Sequence, residues 1–166
     1  LLKVDGEIGA IATGSGDRIF DWAWLLCRLI LSLAGAGLWT WISPVRGALP
    51  RNLWRWFSLM LRVAVGSEML AYGFEKVFPL QMPFPPLIRL VQPLGNSSLM
   101  GMLWSSIGAS PAYERILGSV EVLGGVLILI PRTALAGALV CAGVSLQIFL
   151  LNMTYDVPVK ILSFHL

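Results

Sequence analysis

The segment from Ser110 to Ile130, SPAYERILGSVEVLGGVLILI, constrains this chain more than any other. Ser110 is a good N-cap residue, and Pro111 fits the first helical position, where no N–H is needed, so the pattern predicts a helix that starts there. Its roughly twenty residues correspond to about 30 Å of helix, long enough to cross the hydrocarbon of a bilayer. Yet Glu121 lies near its middle, and Glu114 stands about two turns earlier on the same face. An ionisable group at that depth is costly unless it is paired or functional, so the rest of the chain has to accommodate Glu121.

Composition makes a bilayer the expected surroundings. Of 166 residues, 57% are hydrophobic and only 13% charged, against about a quarter charged in soluble domains. The net charge of +3 does not imply nucleic-acid binding. Arg46, Arg51, Arg55 and Arg132 sit in short connections beside apolar runs, which is a topology signal rather than a basic patch. Residues Leu1 to Asp21 lack the charged and apolar succession of a signal peptide. The chain opens on Leu1 and closes inside an apolar run, so we expect a piece of a longer protein. Cys27 and Cys141 fall inside apolar segments, at depths about 10 Å apart, too far for a disulfide.

Taken in order, residues 1–21 read as an outward-facing loop. Its Thr13–Asp17 stretch, TGSGD, reads as a plain turn, with phosphate or metal binding as the rarer alternative for such a sequence. Residues 22–43 form an additional span bounded by Trp22, Trp24, Trp39 and Trp41, as interfacial belts would be. After an arginine-rich connector over 44–55, a second span covers 56–77. It carries a polar stripe of Glu68, Tyr72 and Glu75, while Arg62 lies about 120° away from Glu68. Five prolines exclude one continuous helix from 78–109, leaving short interfacial helices over 86–91 and 98–107. The fourth span covers 133–153. Its Ala134, Ala138 and Ala142 form a small-residue stripe, beside Gly137, Cys141 and Ser145, that suits a close hairpin with the helix before it. A fifth span begins at Val157 and is cut short.

These assignments predict an all-α, polytopic transmembrane bundle. The positive-inside rule puts the arginine connectors in the cytoplasm. TGSGD, the proline-rich loop 78–109 and residues 154–160 then face outward together, and such a start implies a missing upstream span.

Two outcomes stay open for the intramembrane candidates Glu68, Tyr72, Glu75, Glu121 and Arg62. The carboxylates could form a proton-handling or quinone-binding pocket, or a polar cluster that ties helices together, with Arg62, Arg28 or Arg115 as counter-charges. A second candidate cluster lies on the outer face: Asp17, Lys76, Tyr155, Asp156, Lys160 and His165. His165 has no partner at metal-ligand spacing, so no metal is expected.

The runs YGFEKVFP (Tyr72–Pro79), EVLGG (Glu121–Gly125) and YDVPVKILSFHL (Tyr155–Leu166), with TGSGD and MGMLWSSIGASPAY, together resemble the DoxX family of bacterial membrane proteins. The resemblance covers most of the chain from Thr13 onward. It implies a multi-pass protein of the bacterial inner membrane. Its four-helix core would occupy 56–166, preceded by one extra span and ending in a truncated last helix. It also implies sulfur, thiol or quinone-linked redox chemistry, which leaves the cofactor open with a quinone as one candidate, and a periplasmic or membrane redox protein as a candidate partner. No redox-active motif stands in the chain, so a subunit or accessory factor is expected rather than a self-sufficient enzyme. The alternative is a non-catalytic scaffold or assembly protein that docks a periplasmic partner. The resemblance carries no catalytic residues onto this chain.

Overall fold

In the computed structural model, residues 17–42 and 51–165 are described. Among them are seven α-helices and no strand: α1 (Ile19–Ile42), α2 (Arg51–Val77), α3 (Leu87–Val91), α4 (Leu99–Gly108), α5 (Pro111–Leu129), α6 (Ala134–Thr154) and α7 (Lys160–His165). The second long helix starts at Arg51, five residues before the expected span, so the end of the arginine connector is its first turn. The helix from Pro111 begins as its residues require, with the Ser110 hydroxyl accepting from the Tyr113 N–H. In the same way the Ser98 hydroxyl accepts from Gly101 N–H at the start of α4.

The bundle is built on α5, which runs antiparallel to both α2 and α6. Small residues set how closely the backbones approach. A Cβ added to Gly118 would lie 2.5 Å from the Gly73 carbonyl oxygen on α2, and one added to Gly73 would lie 2.8 Å from a Val122 methyl. One turn or two further along, Gly125 meets the Gly66 carbonyl in the same manner. On the other side, Gly137 of α6 presses on the Ile128 backbone, and Gly124 faces Cys141.

The small-residue stripe of α6 therefore needs a correction. The face packed on α5 is Gly137, Cys141 and Ser145, all buried, whereas Ala138 and Ala142 are exposed. Only glycine permits the closest approach, so Gly137 fixes the rotation of the helix and turns the alanines outward.

The far end of α5 lacks a glycine cap, since Ile130 is extended. Its last carbonyls, which helix geometry leaves without partners, are served by side chains from both neighbours. Arg62 Nε donates to Ile128 O and its Nη2 to Leu129 O, both at 2.7 Å, and Thr133 Oγ1 donates to Leu127 O at 2.9 Å. Arg62 is thus a helix-end clamp and not a counter-charge for a glutamate.

At the opposite end, α6 stops because Asp156 takes a left-handed φ of 52°. The Val157 N–H then closes back on Asn152 O at 3.0 Å, and the Val157 side chain is buried. That is a helix stop of the Schellman type with aspartate in the usual glycine place. Asp17 next caps α7, its two carboxylate oxygens accepting from Lys160 and Ile161 N–H, each at 3.0 Å. Residues 13–16 of the TGSGD stretch lie outside the described residues.

Two helices, α1 and α6, are long and apolar enough to cross a membrane. No residue of α1 is buried. The other long helices, α2 with 27 residues and α5 with 19, carry the charges that lower their hydropathy.

Candidate functional site

Toward the end of the bundle that carries the proline-rich loop, a cavity of about 500 Å³ opens between α2, α4, α5, α6 and the segment 157–163. Its walls are mostly apolar, with Met69, Met82, Met100, Leu103, Trp104 and Leu151 contributing. Met82, Leu103, Ile107 and Val157 belong to one buried cluster, against which Trp104 and Tyr155 pack. The loop is held under α4 by Gly108, where a Cβ would come 2.6 Å from the Pro83 carbonyl oxygen.

The cavity holds one ion pair. Lys76 Nζ, on the last turn of α2, donates to Glu121 Oε1, on the middle of α5. Both are buried, at 6% and 3% exposure. Lys76 reaches Glu121 because Gly118, one turn before it on α5, leaves its own space to the Lys76 stem. The second carboxylate oxygen, Glu121 Oε2, is buried without a hydrogen-bond partner among the described residues. Tyr72, Gln81, Gln147, Asn152 and Ser163 add polar groups to the walls.

Glu114, fully buried two turns before Glu121, has a different task. Its Oε1 accepts from the Met82 N–H at 3.0 Å, which ties the proline-rich loop to α5.

The sequence candidates thus separate. Glu121, Lys76 and Tyr72 share the cavity, and Lys76 belongs with Glu121 rather than with the outer cluster. Glu68 and Glu75 are exposed on α2 and do not line it. The pairing of Glu68 with Glu121 is replaced by Lys76 with Glu121. The buried face of α2 is Gly66, Met69, Gly73 and Lys76, a stripe beside the Glu68–Tyr72–Glu75 one. Asp17, Asp156 and Lys160 do meet: Lys160 Nζ lies 2.6 Å from Asp156 Oδ1 and 3.8 Å from Asp17 Oδ2. Tyr155 is half-buried beside them, and the His165 side chain lies outside the described part. Trp104, Gln81 and Asn152 had no sequence signal, whereas Lys76 had one, the glycine three residues before it. Among the described residues no group of His, Cys, Asp and Glu is placed to hold a metal.

No family model matches the chain, and no solved structure does. Over 103 residues it is 42% identical to YwoB of Bacillus subtilis, a protein described as uncharacterized. The match takes in 61% of this chain and 64% of YwoB, so the chain spans less than two thirds of that relative's length.

Proposed function

We propose that this chain is a multi-pass protein of the bacterial inner membrane with a DoxX-like bundle, acting as a subunit or accessory factor of a redox system. On this reading a quinone-type ring occupies the cavity over the Lys76–Glu121 pair. The observation that carries the reading is that pair: a buried lysine and glutamate in the wall of a mostly apolar cavity of about 500 Å³. Ligand sites in general are apolar hollows of roughly this size with a few convergent polar groups.

The same pair supports the membrane assignment of α2 and α5. Lys76, Glu114 and Glu121 are charges that each helix alone could not carry into hydrocarbon, and all three are enclosed between helices. At about 1.5 Å per residue, the 19 residues of α5 extend close to 30 Å, a bilayer's hydrocarbon thickness.

The test is extraction. Full-length protein purified in mild detergent should carry quinone approaching one per chain, and the Lys76→Met, Glu121→Leu double variant should have lost it while keeping its helicity. Wild-type protein free of quinone would sink the reading.

A second reading, a non-catalytic scaffold that docks a periplasmic partner, draws on the proline-rich loop. Phe78, Leu80, Phe84, Leu87, Ile88 and Val91 are all exposed there, a larger apolar surface than a solvated loop needs. Replacing Phe84, Leu87 and Ile88 with serine should abolish co-purification of the partner on that reading and leave quinone content unaltered on the first.

A further inference from the structure

Two helices turn a charge outward where a bilayer would meet it. Glu68 is exposed on α2, off the buried face of Gly66, Met69 and Gly73. It makes no ion pair among the described residues. In a membrane-spanning helix such a carboxylate is costly unless it is paired. The cations of its own bundle are engaged or sit at another depth. Lys76 belongs to Glu121, Arg62 holds the carbonyls that end α5, and Arg115 stands one turn inside the start of α5. On α1, Arg28 is exposed too, 5.1 Å from the centre of the Trp24 ring and without a carboxylate partner among the described residues.

These two charges lie at one depth. Asp17 caps α7, and the segment leading into α7 lines the same cavity as Lys76, so α1 starts at the end of the bundle where α2 stops. Counted from that end, Arg28 is nine residues along α1 from Ile19, and Glu68 is nine residues along α2 from Val77. At 1.5 Å per residue both are about 14 Å deep. The same register sets Ser32 opposite Ala64, both small and exposed, which lets two helices approach. It also sets Asp21 opposite Glu75, but at the outer rim, where salt screens like charges. Within one chain Arg28 and Glu68 do not meet, since both are exposed and no residue of α1 is buried. We infer that α1 of one copy packs on the Glu68 face of α2 in a second copy, with Arg28 donating to Glu68. Two copies in one membrane share an orientation, so the two helices run antiparallel across the contact. A two-fold axis along the membrane normal then makes the contact twice. This rests on the membrane reading above and not on the ligand in the cavity.

The test is oligomeric state under charge reversal. Full-length protein in mild detergent is followed by light scattering through a dilution series, as wild type, Arg28→Glu and Glu68→Arg. The wild type should be a dimer. Each single reversal should weaken it about a hundredfold, about tenfold for each of the two charge-assisted hydrogen bonds lost. Mixing the two reversed chains is the decisive arm. Each supplies the charge that the other lacks, so a mixed dimer should form within about tenfold of wild-type strength. A contact inside one chain would gain nothing from mixing. A wild type that is monomeric throughout, a dimer indifferent to both reversals, or no mixed dimer overturns the inference. Quinone content of the same preparations should be unaltered by either reversal, because neither residue lines the cavity. A dimer that carries no quinone would sink the ligand reading alone, and a chain that stays soluble without detergent would sink the membrane reading.

Discussion

Lys76 on α2 and Glu121 on α5 form a buried ion pair beside Gly118, whose missing side chain gives the lysine stem its path between the helices. Removing one partner strands the other charge in a low-dielectric site. Lys76→Met or Glu121→Leu alone should therefore cost about 3–5 kcal/mol of stability. The double replacement should recover much of that loss, since an apolar pair carries no stranded charge. Melting of the three variants in one detergent checks this, and a double variant as unstable as the singles would contradict it.

Two glycines on one bundle should answer oppositely to alanine. Gly118→Ala puts a methyl against Gly73 O, so α2 and α5 must separate, with a loss of about 1–3 kcal/mol. Gly143→Ala meets nothing within 4 Å and should stabilise α6 by about 0.5–1 kcal/mol through helix propensity. Similar melting shifts for both would mean that the glycine seam is not what sets the helix spacing.

Glu114 holds the proline-rich loop as an acceptor for Met82 N–H, and an amide oxygen can accept as well. Glu114→Gln should leave the loop in place, whereas Glu114→Leu orphans a buried N–H at a cost of about 1–3 kcal/mol. Protease nicking between Phe78 and Ser98 measures the difference, with faster cleavage expected for the leucine variant only.

The stop of α6 is strained at a known place. Asp156 holds a left-handed backbone that favours glycine, so Asp156→Gly should relieve about 1 kcal/mol. Against this stands the lost hydrogen bond to Lys160, an exposed contact of small worth. A melting temperature that falls sharply would show that the Lys160 contact matters more than the backbone.

Helix positions were legible in the sequence because their signals are local. Ser110 and Pro111 start α5, the proline cluster breaks 78–109, and the apolar runs fix the lengths. Partners were less legible. Depth arguments paired Glu68 with Glu121 because both sit mid-helix, but rotation about the helix axis decides which side chains meet. That rotation is set by Gly66 and Gly73, which turn Met69 and Lys76 inward and leave Glu68 outside. Likewise Gly137 outranks the alanine stripe on α6. Arg62 looked like a counter-charge, yet the carbonyls that end α5 are nearer to it than any glutamate of the cavity. Glycine spacing carries this information, but only once the facing helix is known.

The account stands most directly on what occupies the cavity beside Lys76 and Glu121. Photolabelling of native membranes with an azido-substituted benzoquinone, followed by peptide mapping, measures that occupancy. The expected labels fall on α4 between Met100 and Ile107 and on the segment 157–163, and they disappear in the Lys76→Met, Glu121→Leu double variant. Labels confined to the outer face of α1, and unaltered in the double variant, would contradict it.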